Sequence, residues 1–371
     1  MLDSASLEAV SRPLAQASTL PPQAYTRADV FDLETRKIFY KEWVCVAREE
    51  QIPNPGDYRT AQIIDQPLIV VRNEDSGINA MSAICPHRAM PVVTQPGNTS
   101  TFSCPYHLWK FALDGSLISA PLMDGVDPLP RSDCGLPKVR VETWQGFIFV
   151  NLDPQAPSLT SKLAGLAPII DGYDMGDMVV ATSLDFDCPW NWKILVENWM
   201  EAYHHIGPHK DSVQPTHHAK DSYVSGDIES GWSVLHMPEA PGQPEQQGLP
   251  TLPNLNDTQC SELLASVIMP TFCWFNTPSV SFWYQLVPRA HDQMHLTIHT
   301  LLPRSLADAD TDGEIAAAVQ ASIEHVHLED IAVNEGPWKG LHAPLTRPGR
   351  LSHLEEAIWQ INQWWTRRIA Q

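Results

Sequence analysis

The sequence predicts an α+β protein built from an all-β module and a larger α+β domain. Between residues 43 and 154, short β-rich runs such as 67–72 (PLIVVR) and 146–151 (GFIFVN) alternate with Pro- and Gly-containing turn signals. The rest of the chain, 1–42 and 155–371, combines long helical patterns with one β-rich stretch. We therefore expect one all-β domain over 43–154 and one α+β domain formed by the residues on either side of it.

The elements of the second domain follow from periodicity and capping signals. Helices are predicted over 191–205, over 312–335 and from Ser352 onwards, and strands near 279–287 and 294–302. At Ser352 the helix start is supported by Glu355, which stands at the capping-box position.

Composition and charge restrict the class of protein. The 371 residues include 44 acidic and 24 basic side chains, which give a formal charge of −20 and argue against nucleic-acid binding. The first 22 residues do not resemble a signal peptide, and no apolar run reaches 18 residues, so we expect a cytoplasmic protein without a membrane span. Seven cysteines in such a protein are expected to be thiols or metal ligands.

Two segments of the all-β module each place one cysteine close to one histidine. Cys85 and His87 form a Cys-x-His pair, and Cys104 and His107 form a Cys-x₂-His pair after an interval of 16 residues. Mixed pairs favour a Rieske [2Fe–2S] cluster, in which two histidines replace two cysteines on one iron. A zinc knuckle, or unrelated thiols and histidines, is the alternative. The remaining cysteines are interpreted as ordinary buried thiols: 45, 134, 188, 260 and 273.

A possible mononuclear metal site lies in the second domain. On the helix over 191–205, Glu201 and His204 share a polar face, which could equally be solvated surface. The helix over 312–335 carries an apolar stripe whose next member is Asp330. A carboxylate at a buried position is costly unless it is paired or binds a metal. With two histidines it would complete the 2-His-1-carboxylate set of a non-haem Fe(II) that activates O₂.

Residue spacing alone does not select the two histidines. The candidates are His204, His205, His209, His217 and His218. On a continuous helix, His205 and His209 share a face, whereas His204 and His209 stand about 140° apart. Gly207 and Pro208 could break the helix and bring the second pair together.

From Trp43 onwards the chain resembles the α-subunit family of Rieske non-haem iron oxygenases. The resemblance is carried by the Cys-x-His-Arg box at 85–88, the Cys-Pro-Tyr-His box at 104–107, VNLDP at 150–154, NWK at 191–193, Glu197-Asn198, acid-x₂-His-x₄-His at 201–209, and Glu329-Asp330. Ala89 and Leu108 depart from the family pattern, since glycine is common at both positions. The resemblance implies a Rieske domain followed by a catalytic domain of the helix-grip type, an antiparallel sheet with helices.

The resemblance also implies roles for individual residues. The implied cluster ligands are Cys85, His87, Cys104 and His107. The implied iron ligands are His204, His209 and Asp330. Glu201 would join His107 of a neighbouring subunit to His204 in a head-to-tail homotrimer, and glutamate at this position resembles the carnitine and glycine-betaine oxygenase branches. His205 would then be a supporting or pocket residue, and His217 and His218 would be loop residues.

The implied function is that of a terminal oxygenase, a mono- or dioxygenase that hydroxylates or oxidatively demethylates a small organic molecule with O₂. Electrons would come from NAD(P)H through a separate reductase or ferredoxin. Glu201 favours an N-methylated or quaternary ammonium substrate, and an aromatic ring or aromatic acid is the alternative. A Rieske electron carrier without oxygenase activity is the alternative of another class. The aromatic residues within 274–284, with Trp199, Trp232 and Phe272, could line a pocket or belong to the core of the sheet.

Overall fold

The chain consists of two compact units. The computed structural model describes residues 3–126, 131–242 and 248–370, and the units are Phe39–Ser158 and Met1–Ile38 with Leu159–Gln371. The first unit is all-β and the second is α+β, which confirms the predicted fold class. The predicted limits of 43 and 154 fall inside the first unit.

The all-β unit holds a seven-stranded and a three-stranded antiparallel sheet. Its strands are β1 (Val44–Arg48), β2 (Asp57–Ile63), β3 (Gln66–Arg72), β4 (Ile78–Ser82), β5 (Gly97–Asn98), β6 (Phe102–Ser103), β7 (Lys110–Phe111), β8 (Leu117–Ser119), β9 (Lys138–Trp144) and β10 (Phe147–Asn151). The large sheet has the order β1-β10-β9-β4-β3-β2-β5, and the small one β6-β7-β8. The β-branched and aromatic residues of β3 and β10 are buried, as expected for central strands.

The α+β unit is built on one seven-stranded antiparallel sheet in the order β11-β17-β16-β15-β14-β13-β12. Its strands are β11 (Met178–Cys188), β12 (Tyr223–Asp227), β13 (Trp232–Pro238), β14 (Glu262–Ile268), β15 (Phe272–Asn276), β16 (Ser281–Ala290) and β17 (Gln293–Pro303). Its helices are α1 (Ser4–Val10), α2 (Gln23–Thr26), α3 (Ala28–Glu34), α4 (Leu159–Lys162), α5 (Ala167–Ile170), α6 (Trp192–Trp199), α7 (Arg304–Ala309), α8 (Glu314–Leu341) and α9 (Glu356–Ala370). Helix α8 packs on α6 and on strands β11 and β17, which places Asp330 of α8 close to Asn198 at the end of α6.

Helix α6 is shorter than the sequence predicts. It starts at the predicted place, because the Asn191 side chain accepts a hydrogen bond from the Lys193 amide as an N-cap. It ends at Trp199 rather than 205, and the chain continues through a 3₁₀ turn, Tyr203–Ile206. The later helix, α8, runs on to Leu341 instead of ending at 335. The predicted capping box of Ser352 and Glu355 is confirmed, and α9 follows it.

A buried ion pair fixes the start of α6. Glu34 and Lys193 are almost fully buried, and the Lys193 Nζ lies 2.5 Å from Glu34 Oε1. The indole N–H groups of Trp192 and Trp365 donate to the same carboxylate at 3.1 and 2.7 Å. Burying a charge is tolerated only when it is paired and hydrogen-bonded, and Glu34 meets both conditions. The NWK segment therefore anchors α6 to α3 and α9.

The cysteines outside the two pairs are only partly as predicted. Cys45, Cys188 and Cys273 are buried, but Cys134 is half-buried and Cys260 is exposed, so the interpretation of all five as buried thiols is wrong for these two. Cys260 lies in a 3₁₀ turn before β14, where nothing in the sequence pattern marks the inward face. Among the residues that the structure describes, no helix is long and apolar enough to cross a membrane.

Candidate metal centres

The two Cys-His segments of the all-β unit form loops of the same shape. The amide of Ala89 donates to the Cys85 carbonyl at 3.0 Å, and the amide of Leu108 donates to the Cys104 carbonyl at 3.0 Å. Ala89 and Leu108 both have left-handed backbone conformations, with φ of 53° and 58°. These are the two positions where the family pattern favours glycine, which reaches this conformation without the steric cost of a Cβ. The loops therefore keep the glycine geometry with other residues in place.

The four predicted cluster ligands lie together at these loops. Cys85 and Cys104 are each 1% exposed and belong to one buried cluster of side chains. The rings of His87 and His107 are 4.6 Å apart between centroids, and His87 stacks on Trp109 at 4.8 Å with an interplanar angle of 2°. Burial raises the pKa of the Cys85 thiol, and the adjoining Cys104 thiol raises it further.

This donor set fits a Rieske cluster. Two thiols and two imidazoles are the ligands that such a cluster requires. The Nδ1 atom of His87 is buried and has no hydrogen-bond partner within the described ranges, although buried polar atoms are normally paired. Burial, together with the neighbouring His87 and Arg88, lowers the pKa of His107, which favours the neutral imidazole that binds a metal.

The second site forms where the irregular segment after α6 meets α8. Asp330 Oδ1 lies 3.4 Å from Nε2 of His204 and 3.0 Å from Nε2 of His209. The Asn198 amide donates to the same oxygen at 3.0 Å. The chain reaches this arrangement because α6 stops at Trp199, so that His204 and His209 no longer follow helical spacing. The three predicted iron ligands therefore converge on one point.

The other ring nitrogens of the two histidines face carboxylates. His204 Nδ1 lies 2.6 Å from Glu201 Oε1, and His209 Nδ1 lies 2.7 Å from Glu329 Oε2. Ser212 Oγ donates to Glu329 at 2.7 Å. Metal-bound histidines commonly donate their second ring N–H to a carboxylate, which fixes the tautomer and leaves Nε2 free for the metal. Residue spacing predicts no role for Glu329 or Asn198, and only their positions in the family motifs distinguish them.

The charges of this cluster depend strongly on one another. Burial alone would raise the pKa of Asp330, but hydrogen bonds from His204 and His209 outweigh it and hold the pKa below its usual range. Burial would lower the pKa of His204, but Asp330 and Glu201 raise it to about 9. A carboxylate between two imidazoles, each backed by a further carboxylate, suits a divalent cation in place of the imidazole protons.

His205 lies at the same place. Ligand atoms of His204, His205 and His209 lie within 4.8 Å of one another, and His205 is 6% exposed. Its Nδ1 has no hydrogen-bond partner among the residues described. Burial and then the neighbouring histidines lower the pKa of His205 to about 3, so this imidazole is neutral. All three histidines therefore lie near one another, but the two that lie within 3.5 Å of Asp330 are His204 and His209.

A cavity of about 550 Å³ opens beside these residues. Aromatic rings form part of its wall: the Trp199 and Tyr284 ring centroids are 4.1 Å apart, and those of Trp199 and Phe275 are 6.0 Å apart. Phe282 and His217 also line it. His218 instead lies near the surface beside Asp221, at 3.3 Å.

The aromatic residues singled out by sequence divide between the cavity and the core. Trp274 and Trp283 are fully buried in the sheet, where Phe272 contacts both rings. Trp232 packs near Trp364, away from the large cavity. Alternation along β15 and β16 decides this division, because adjacent residues of a strand point to opposite faces.

Comparison with known proteins identifies two domains in this chain. Residues 175–371 match the model of the ring hydroxylating alpha subunit (catalytic domain), and residues 42–131 match the Rieske [2Fe-2S] domain. The carnitine monooxygenase oxygenase subunit of Acinetobacter baumannii is 35% identical over 205 residues, 53% of this chain and 55% of the relative. The glycine betaine monooxygenase oxygenase subunit of Chromohalobacter salexigens is 38% identical over 194 residues, 52% of this chain and 43% of the relative.

The matched region of these curated relatives is limited, and the chain spans about half their length. A crystal structure of a quaternary ammonium Rieske monooxygenase in complex with L-carnitine has the same fold, with a TM-score of 0.81 at 23% identity over 98% of each chain. The catalytic-domain match alone covers more than half of the sequence. The chain therefore belongs to the ring-hydroxylating α-subunit family, with a Rieske [2Fe–2S] domain followed by the catalytic domain of that family.

Proposed function

We propose that this chain is the terminal oxygenase component of a multicomponent Rieske oxygenase. It uses O₂ to hydroxylate or oxidatively demethylate a small organic molecule, with electrons from NAD(P)H delivered by a separate reductase. The observation that carries this proposal is the position of Asp330 between Nε2 of His204 and Nε2 of His209, with a carboxylate behind each imidazole. An electron carrier would need the cluster loops alone.

The proposed ligands follow from the two constellations. The [2Fe–2S] cluster is held by Cys85, His87, Cys104 and His107. The mononuclear Fe(II) is held by His204, His209 and Asp330. When bound, the cluster would supply electrons one at a time and the mononuclear iron would supply the redox chemistry that activates O₂. The protein's part is to fix the imidazole tautomers through Glu201 and Glu329 and to orient the substrate in the adjoining cavity.

The wall of that cavity supports an N-methylated substrate. Aromatic faces attract a quaternary ammonium group by about 0.5–2 kcal/mol, depending on how far it is desolvated. Trp199, Phe275, Phe282 and Tyr284 provide such faces close to the iron site. The related carnitine and glycine betaine enzymes act, by name, on substrates of this type. An arene is the second candidate, because the same rings also suit a flat hydrocarbon.

Electron transfer between subunits of a homotrimer is part of this proposal. Glu201 is held in place by two contacts to His204: its Oε2 accepts from the backbone amide at 2.9 Å, and its Oε1 faces Nδ1 at 2.6 Å. Tyr203 and Ile206, next to this pair in the sequence, are exposed. A neighbouring copy of the proposed trimer would cover these two side chains. Glu201 would connect His204 to the cluster histidine His107 of a neighbouring copy.

Iron content tests the proposal against an electron carrier. The oxygenase should bind about three iron atoms per chain and the carrier about two. His204→Ala, His209→Ala and Asp330→Ala should each lose one iron and all product formation while the visible spectrum of the cluster remains. His218→Ala is the matched control, since His218 lies near the surface, and it should keep all the iron. Three ligand variants with full iron content would contradict the assignment.

A pair of isosteric compounds tests the substrate class. Choline carries a trimethylammonium group, and 3,3-dimethylbutanol replaces that group by a neutral tert-butyl group of the same shape. Isothermal titration should give tighter binding of the cation by about 2–30-fold, the factor that corresponds to 0.5–2 kcal/mol. Release of formaldehyde with a matched reductase would report demethylation. Tighter binding of the neutral compound, with turnover of arenes only, would favour the second candidate.

A further inference from the structure

A second cavity, of about 400 Å³, lies next to the metal site. It shares two lining residues, Asn198 and Glu201, with the large cavity. These are the residues that contact Asp330 and His204, respectively. The second cavity is also lined by Pro337 and Gly340 of α8, which are exposed. The cavity therefore extends from solvent to the back of the proposed iron ligands.

The carboxyl group of Glu197, which has no part in the proposed metal sites, lines this cavity. Both oxygens of Glu197 accept from the Tyr25 hydroxyl, at 2.7 and 2.9 Å, and both residues line the cavity. Asn334 lines it as well, and its buried Nδ2 has no hydrogen-bond partner in the part of the chain that is described. An unpaired buried polar group of this kind is normally satisfied by ordered water. The cavity is thus polar enough to hold water next to Glu197.

The groups around Glu197 favour a carboxyl that can gain and lose a proton near neutral pH. Burial raises its pKa most strongly, and the Tyr25 hydrogen bond and the Lys193 charge lower it. Glu355, directly before α9, raises it again, and the result is a pKa of about 7. The α8 residues that line the cavity are not titratable. A pKa near the working pH is the condition for efficient proton transfer in both directions.

We propose that the second cavity holds the water that brings protons to the metal site, and that the Glu197 carboxyl is the group that passes them on. This inference rests on the proposed oxygenase function, because hydroxylation consumes protons. The substrate C–H and O₂, with two electrons from the reductase and two protons, give the hydroxylated product and one water. The second cavity offers these protons a route, because its lining includes the exposed Pro337 and Gly340, Glu197, and the two residues that contact Asp330 and His204.

The first test replaces the acid by its amide. Glu197→Gln keeps an oxygen that accepts from Tyr25, so folding, iron content and cluster reduction should be unchanged. In the wild type, product formation should fall as pH rises through about 7, because Glu197 loses its proton there. In Glu197→Gln this inflection should disappear. The rate of product formation should drop by about tenfold or more. Loss of a general acid that contacts the substrate typically costs more, and here water can still carry some of the protons.

A second variant separates proton transfer from a structural role. Tyr25→Phe removes the hydrogen bond that lowers the pKa of Glu197 but leaves the carboxyl, so the inflection should move to higher pH. Infrared titration of the iron-loaded enzyme, without substrate and without O₂, provides a readout without turnover. The band of the protonated carboxyl should disappear near pH 7 in the wild type, at higher pH in Tyr25→Phe, and be absent in Glu197→Gln.

Two outcomes are distinguishable. If the wild type forms product and Glu197→Gln keeps its pH profile and rate, the relay is wrong and the oxygenase proposal stands. An infrared band that stays unchanged in Glu197→Gln would overturn the relay as well. If the wild type forms no product with any electron donor and substrate class, the oxygenase proposal fails, and the inference fails with it.

Discussion

Glu329 provides a quantitative test of how the iron site is supported. Its Oε2 faces His209 Nδ1 at 2.7 Å and accepts from Ser212 Oγ at 2.7 Å. Burial would raise the pKa of Glu329, but these two hydrogen bonds lower it below its usual value, so the group is ionised. Glu329→Gln keeps the side-chain length and removes the charge behind the imidazole. His209 Nε2 then becomes a weaker donor to a metal.

The expected loss of iron affinity is about 10–100-fold, the range typical of a carboxylate that supports a metal-bound histidine. This corresponds to about 1.4–2.8 kcal/mol of binding free energy. The assay is anaerobic titration of Fe(II) against a competing chelator, with the cluster spectrum monitored as a check on folding. Glu324→Gln is the matched control, because Glu324 lies on the same helix outside the metal cluster. Equal iron affinity in wild type and Glu329→Gln would refute His209 as a ligand supported by this carboxylate.

Further predictions concern the loops, the histidines and electron transfer. Ala89→Gly should raise the thermal midpoint of cluster loss by about 2–4 °C, as relief of its positive φ stabilises by about 0.5–1 kcal/mol, whereas Ala61→Gly in β2 should lower it. His205→Ala should retain iron by metal analysis, and loss of iron would favour the i, i+4 pair. Because the pKa of His204 is raised to about 9, Fe(II) displaces its proton at neutral pH, so chelator titrations should give an affinity that rises with pH up to that value. Glu201→Gln should leave both metal centres occupied but slow re-oxidation of the cluster in stopped-flow measurements with substrate and O₂, and re-oxidation at the wild-type rate would exclude the bridging role.

Burial predicted one member of the second metal site, Asp330, whereas helical periodicity gave the wrong end for α6. Asp330 was identified because a carboxylate on an apolar stripe needs a partner, and the structure provides two imidazoles. Periodicity extended α6 to residue 205, which favoured His205 with His209. The chain leaves the helix at Trp199 and turns at Gly207, so helical spacing no longer decides which histidines meet. The family motif carried the choice that periodicity could not make.

Residue spacing could not predict which side chains hold the metal ligands and the neighbouring acid in place. Glu329 and Asp330 are adjacent on α8, and both contact His209. Glu329 contacts its Nδ1 because the imidazole and the Ser212 hydroxyl are oriented toward the Glu329 carboxylate. Ring orientation of this kind depends on tertiary packing and leaves no periodic trace. The same holds for Tyr25, whose hydroxyl reaches Glu197 across 172 residues of sequence.

The charge arrangement predicts that metal binding and local order are coupled at this site. Three carboxylates, Glu201, Glu329 and Asp330, surround two imidazoles in a largely buried region. Without a cation, this cluster keeps protons on the imidazoles, as the raised pKa of His204 indicates. A divalent cation bound by Asp330, His204 and His209 would replace those protons, and its charge would offset part of the charge of the three carboxylates. The segment between α6 and His209 has little regular structure of its own, so its geometry depends on the same charges that bind the metal.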